Sequence, residues 1–377
     1  MLFITFNDSP YGIYRSQVTD VCLFLQDRLE INIELVAFVS LRNYLKDRRE
    51  IKNTYPHSTV LPLFPGIGNW RTNGVTLKLF MMFRKRQAAI ARGVFATHLA
   101  LDCKRIQSVT YDARGAYSAE WKEYMRGESD EIVKEINTLE KEALFRSDFR
   151  IAVSEQLVQY WRTGFGYKGT NHAVIPCTLD SRRKQPQKTE GLRKELGVND
   201  DDILLVFSGS AAAWQSMEHL YSILMQAFSE NSALKLLLLT KDKTGSEFLT
   251  KFSGRIYKLW VEPEQVPSYL MAADYGLLYR ENTVTNRVSS PVKFAQYLDA
   301  GLPVIISEHV GDYSTFTLEK KCGMLFGSID WKTLGRPGLA EKERMTRIAA
   351  EYFSKDAYMA LYKKLAETDK GEVQGNS

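Results

Sequence analysis

Short runs of consecutive apolar residues alternate along this chain with longer stretches whose apolar positions recur every three or four residues. The runs at 2–6 (LFITF), 31–38, 93–97 and 106–111 predict strands, and 14–29 predicts a helix. Residues 131–144 form a charged amphipathic helix by the same criterion. A strand at 150–153, a helix from 154 to about 161 and a strand at 173–176 follow. This alternation implies βαβ units and a mainly parallel sheet.

At 180–190 the chain reads DSRRKQPQKTE, polar and proline-containing without an apolar residue, which marks a linker. The alternation then restarts. Strands are predicted at 203–207, 234–239, 255–260, 275–278 and 303–307, with helices at 214–228, 266–272 and 291–300. Uninterrupted apolar strands are typical of parallel sheets covered on both faces. A chain of 377 residues exceeds what one core serves. The expected fold is therefore α/β, two doubly wound Rossmann-like domains facing a cleft, with domains at 1–179 and 180–340. Closing helices at 341–353 and 356–367, within 341–370, are expected to pack back toward the first domain. Ligands of such sheets bind at the carboxyl ends of the strands, so the cleft is the default active site.

Composition narrows the class. The net charge of +5 suits an enzyme of phosphorylated substrates or one near anionic lipid. No RNP, KH, zinc-finger or helix-turn-helix signature accompanies it, so no nucleic-acid partner is predicted. Cys22, Cys103, Cys177 and Cys322 form no CxxC pair, which argues against a zinc site or a disulfide framework and fits reduced thiols in a cytoplasmic protein. No basic leader precedes the first apolar run, and no apolar stretch approaches the ~20 residues that span a bilayer. The expectation is a cytoplasmic protein, peripheral at most at the inner face of a membrane. The segment 77–92, LKLFMMFRKRQAAIAR, is apolar from Leu77 and basic toward Arg92. As a helix it either lies on an anionic membrane or packs on the first sheet. Its apolar residues cluster lengthwise more than on one face, which favours packing. The run KDRREIK at 46–52 reads as a solvated helix face.

The stretch 281–305 carries the most chemistry. Ser289-Ser290-Pro291 reads as a helix start, with a hydroxyl cap and then proline. Free backbone N–H groups at such a start attract anions. Lys293, in the first turn, opposes the helix dipole unless a bound diphosphate reverses the sign. Gly301 stops the helix.

Together PVKFAQYLDAGLPVI, the upstream VEPEQVPSYLMAADYGLLY, IAVSEQLVQYW, VIPCTLD, LLVFSGS and VTYDARGAYSAEW resemble, in order and spacing, the segments of retaining GT-B glycosyltransferases of the family-4-like group. The first of these is similar to that group's donor signature, P-x-K-x-x-E-Y-L-A-x-G-x-P-V. The resemblance implies a metal-independent hexosyltransferase-type enzyme without a cofactor. It would take a UDP- or GDP-linked sugar as donor and a glycan or lipid-linked acceptor in cell-surface polysaccharide biosynthesis. On the donor side it implies Gly209, Ser210, Ser289, Ser290 and Lys293, with Lys241 or Arg287 supplying the charge that SGSAAAWQSME lacks. Gln296 stands where the family has its second acid, and Val288 where an E-x7-E motif has its first; Gln still hydrogen-bonds ribose hydroxyls. On the acceptor side it implies Gly12, His98, Asp112, Arg114 and Glu120. His98 is expected just past a strand at the sheet edge, either orienting the acceptor hydroxyl or held by a backbone partner. Asp112 and Arg114 are expected as an internal ion pair or as acceptor contacts. His98 and Lys293 are the catalytic candidates. Asp200-Asp201-Asp202 reads as a solvated turn rather than a metal site. The missing acids leave a second reading open: a degenerate nucleotide-sugar-binding subunit supporting a partner transferase.

Overall fold

The computed structural model describes residues 1–64, 67–124, 130–183, 191–209, 217–241 and 246–367. The chain divides into two compact units, Met1–Arg182 with Ser354–Ser377, and Arg183–Phe353. The helices expected together at 341–370 fall to different units: Leu339–Phe353 belongs to the second and Met359–Glu367 to the first.

In the first unit seven parallel strands make one sheet. They are β1 (Leu2–Phe6), β2 (Glu34–Ser40), β3 (Ser58–Leu63), β4 (Gln87–Arg92), β5 (Ile106–Ala113), β6 (Phe149–Ala152) and β7 (His172–Val174), in the order β3-β2-β1-β4-β5-β6-β7. The inner strands are apolar on both faces because helices cover both. Two expectations fail at β4. The stretch QAAIAR, expected in a helix, is a central strand, and the expected strand at 93–97 opens the helix Gly93–Leu101. Alanine favours helices in isolation, but Ala88, Ala89 and Ala91 are buried between β1 and β5, and packing overrides propensity. The helix that follows is buried from Val94 to Ala100, so it lacks a polar face and imitates a core strand.

This unit closes around one buried ion pair. Asp20, in the helix Asp20–Leu29, meets the ammonium of Lys355, and both side chains are inaccessible. Ser181 donates its backbone N–H and hydroxyl to the same carboxylate, and Lys355 donates to the Leu179 carbonyl at 2.8 Å. The segments where the chain leaves and re-enters this unit are thus fastened to one helix. Tyr362 then packs on Phe24, ring centroids 5.5 Å apart.

The second unit holds β8 (Ile203–Ser208), β9 (Leu234–Leu239), β10 (Ile256–Leu259), β11 (Tyr275–Leu278), β12 (Val304–Ile306) and β13 (Gly323–Leu325). All pairings are parallel, in the order β10-β9-β8-β11-β12-β13. A fully buried carboxylate, Asp274, anchors the amino-terminal edge. It accepts from the Leu204 N–H at 2.8 Å, Arg193 at 2.9 Å, Arg336 at 3.1 Å and Lys342 at 3.5 Å. It thereby ties β8 and β11 to the helix Leu339–Phe353 and to the helix Leu192–Glu195. Removing one partner of a buried charge network strands the others. Asp274→Ala is therefore expected to lower unfolding stability by about 3–5 kcal/mol, read as a lower urea midpoint of this unit.

Candidate functional site

A doubly wound sheet opens a crevice where the strand order reverses, at the carboxyl ends of the two strands flanking that point. In the second unit these strands are β8 and β11. β8 ends at Ser208 and runs into Gly209, whose φ of 137° suits glycine alone. Ser210 and residues 211–216 lie outside the described residues. β11 runs into Arg280, which is 9% exposed and whose backbone N–H donates to Ser307 Oγ at 2.7 Å, beyond the end of β12.

The helix Val292–Asp299 lies against this crevice, held there by Tyr297. The Tyr297 hydroxyl accepts the Ser208 N–H at 3.1 Å and donates to the Leu277 carbonyl at 3.3 Å, bridging the ends of β8 and β11. Its ring fills the space over Gly276, where a Cβ would meet it at 2.4 Å. The helix therefore presents its first turn to the crevice. Lys293, in that turn, carries its ammonium 4.8 Å from the centre of the Phe207 ring, one residue before the end of β8.

Two effects on Lys293 act in the same direction. Burial holds the Lys293 ammonium well below the ordinary lysine pKa, and the Arg280 guanidinium pushes it the same way. Two cations share a partly desolvated corner beside the start of the helix Val292–Asp299. Such a place is stabilised by an anion with two or more charges.

The helix start differs from the expectation. Pro291 is itself the residue before the first helical one, and no side chain caps the helix. Ser290 is buried, and its hydroxyl pairs with the Tyr313 hydroxyl at 2.6 Å, because Tyr313 stacks on Phe294 at 4.4 Å. The Ser289 hydroxyl donates to the Asn286 carbonyl at 2.8 Å, and the Ser289 N–H is directed there too, at 3.2 Å. Both serines thus shape the loop. Its carbonyl at Ser289 lies so close to Gly311 that a Cβ there would come within 1.9 Å.

The remaining donor-side residues spread along this edge. Gln296 is exposed on the same helix, and Arg287 is exposed at the end of the short helix Val284–Arg287. Val288 is buried core. Lys241, past β9, places its ammonium 4.0 Å from the Trp260 ring. Glu281 pairs with His219 at 2.8 Å. Asp202, of the acidic triplet, caps its own turn by accepting the Asn199 N–H at 2.8 Å.

The reversal in the first unit falls between β1 and β4. There Asp8 follows β1 and Arg92 ends β4, 3.8 Å apart. Arg92 also reaches Asp112 at 3.3 Å, and Arg114 meets the other oxygen of Asp112 at 3.2 Å. Arg114 donates further to Gln17 at 3.2 Å and Cys177 at 3.0 Å. Asp112 and Arg114 are thus an ion pair built into a network. Burial pushes the Asp8 carboxyl upward in pKa, against the opposing Arg92 charge. Gly12 turns the loop after β1 with a φ of 60°. Glu120 lies in the helix Tyr117–Tyr124, its carboxyl pushed up by burial and by Glu123.

His98 does not follow a strand at the sheet edge, and of its two expected states it takes the one held by a backbone partner. It lies in the second turn of the helix Gly93–Leu101, 2% exposed. Its Nε2 lies 2.9 Å from the Leu139 carbonyl, its ring packs edge-on to Trp70, and burial lowers its pKa. The misplaced strand is the physical reason: six residues of helix carry His98 from the sheet edge into the core.

No protein-family model matches this chain, and no curated protein sequence matches it. Solved structures do match in fold. Sucrose-phosphate synthase from Thermosynechococcus elongatus superposes with a TM-score of 0.69 at 14% identity, over 98% of this chain and 98% of that one. Anabaena HepE in complex with UDP-glucose gives 0.65 at 14% identity, over 97% and 98%. WaaG, a glycosyltransferase involved in lipopolysaccharide biosynthesis, gives 0.64 at 12% identity, over 99% and 100%. The chain has the fold of the GT-B glycosyltransferases.

Lys293 supplies a test of this reading. A lysine whose folded pKa is depressed binds fewer protons folded than unfolded, so its contribution to stability improves as pH rises from the folded value toward the unfolded one. Lys293→Met is expected to stabilise the ligand-free protein at pH 7, and this gain to shrink as pH approaches the ordinary lysine value of about 10.4. Urea denaturation of both proteins across that range checks it.

Proposed function

We propose that the chain is a glycosyltransferase whose second unit binds a nucleotide-diphosphate sugar, and whose first unit takes a glycan or lipid-linked acceptor. The observation that carries this is a pair of like charges, buried Arg280 and half-buried Lys293, at the strand-order reversal beside Gly209. A diphosphate neutralises that pair and caps the helix start. The complex of HepE with UDP-glucose supports a UDP-linked donor over a GDP-linked one. Gln296 offers its amide to ribose hydroxyls, in place of the acid that the resemblance leads one to expect.

In the proposed reaction the bond between the anomeric carbon and the diphosphate oxygen breaks. The acceptor oxygen bonds to that carbon from the same face, with retention, and its proton passes to the departing phosphate oxygen. Arg280 and Lys293 stabilise the negative charge that develops on the leaving group, which is the service a metal ion performs elsewhere. Asp8 and Arg92 are placed to orient acceptor hydroxyls in the first unit. The pathway that fits is cell-surface polysaccharide biosynthesis, with the acceptor presented at the inner face of a membrane. The absence of both family acids, at Val288 and Gln296, favours one alternative: a nucleotide-sugar-binding subunit that does not turn over.

Thermal shifts with UDP, GDP and their sugars test the donor site. The matching nucleotide at about 100 times its Kd stabilises by about 2.7 kcal/mol. That is a shift of several degrees in the wild type, and it is expected to vanish in Lys293→Met and Arg280→Met while both variants stay folded. Absence of any shift with folded wild type defeats the reading. Binding without release of UDP in the presence of glycan and lipid-linked acceptors selects the subunit reading.

A further inference from the structure

Glu140 has no exposed surface, and burial pushes its carboxyl upward in pKa. Its partners all belong to one helix start. It accepts the Tyr117 N–H at 3.1 Å, the Ser118 N–H at 2.8 Å and the Ser118 hydroxyl at 2.6 Å. The two N–H groups open the helix Tyr117–Tyr124 and have no acceptor within that helix. A buried carboxyl thus fixes how the helix begins, just past the carboxyl end of β5.

The side chain placed by this arrangement is Tyr117. Its half-buried ring stands edge-on to Phe95 at 5.8 Å, and Phe95 packs on Phe6, the last residue of β1, at 5.3 Å. Its hydroxyl accepts from the Trp121 indole N–H, one turn further along the helix. The charges of Glu120 and Asp8 both act on that hydroxyl, which places it at the strand reversal between β1 and β4. A tyrosine so placed offers a ligand an apolar ring and a hydroxyl proton together. A sugar ring answers both, with a C–H face and hydroxyls around its edge. A hydrocarbon chain would leave the Tyr117 hydroxyl and Asp8 without partners.

Charge narrows the ligand further. Arg92 is shared between Asp8 and Asp112, and Arg114 is taken up by Asp112, Gln17 and Cys177. The carboxyls of Asp8 and Glu120 are both pushed upward in pKa by burial. A ligand carrying its own carboxylate or phosphate would add like charge beside them.

We propose that Tyr117 is the platform for the acceptor, and that the acceptor presents a neutral sugar ring. One face of that ring lies on the Tyr117 side chain, and its hydroxyls are shared by Asp8 and the Tyr117 hydroxyl. The inference rests on the reading of the first unit as the acceptor side, and names the chemical class that side accepts.

Saturation-transfer NMR titrations of the full chain, without nucleotide, test it with the methyl glycosides of glucose, galactose, mannose and glucuronic acid. Wild type is expected to bind at least one neutral glycoside, and the glucuronoside at least about tenfold more weakly. Tyr117→Ala is expected to lose about tenfold in affinity for the neutral glycoside. Tyr117→Phe, which keeps the ring and removes the hydroxyl, is expected to lose about fivefold. Asp8→Asn is expected to bring the glucuronoside within about threefold of the neutral glycoside. Equal binding of the glucuronoside by wild type overturns the inference, as does a folded Tyr117→Ala that binds like wild type. If Tyr117→Ala does not fold, Tyr117→Phe decides, and unchanged binding there overturns it. Thermal shifts with UDP on the same samples separate the two readings. A wild type that shifts with UDP and binds no neutral glycoside overturns this inference alone, and one that does neither defeats both.

Discussion

Asp274 is the charge on which the second unit is built. A carboxylate with no exposed surface is costly unless cations and N–H groups surround it, and here Arg193, Arg336, Lys342 and the Leu204 N–H do so. The network sets β8 and β11 side by side at their amino ends, and therefore also decides what meets at their carboxyl ends. Gly209, Arg280 and the first turn of the helix Val292–Asp299 converge because those two strands are neighbours.

The two edges of this sheet carry different charges. At the amino-terminal edge a buried anion is matched by three cations within the chain. At the carboxyl-terminal edge burial and Arg280 act on Lys293 in the same direction, both disfavouring its charge. Residues that cost stability and face a crevice are a physical signature of a binding site. The first unit uses its own strand reversal differently, by alternating signs: Asp8, Arg92, Asp112 and Arg114 form a chain of opposite charges. Such a lining suits neutral hydroxyl groups better than a polyanion.

How much of this is visible in the sequence depends on whether the cause is local. β9 and β11 are legible to the residue because each is an apolar run bounded by polar turns. β3 is missed because STVLPL contains Pro62, which only an edge strand tolerates. The exchange of strand and helix around residue 92 arises where an alanine-rich strand meets a helix buried all round, so that neither has its usual period. Gly209 and Lys293 are legible from motif and cap logic. Arg280 is not, since nothing marks it until β11 is known to lie beside β8. The partners of Ser290 and His98 are 23 and 41 residues away, and each depends on packing that no local pattern announces.

The fastening of residues 179–181 and Lys355 to Asp20 carries a consequence for how the molecule is made. The second unit is an insertion in the first, so the ribosome must synthesise all of it before Lys355 exists. At typical elongation rates that interval is on the order of 10–30 s. During it the helix Asp20–Leu29 lacks the cation that neutralises Asp20 and the Tyr362 ring that covers Phe24. The nascent first unit is thus an unfinished sheet protein with a buried acid that lacks its cation and an apolar seam open. The segment that follows the second unit is thus the one that completes the first unit.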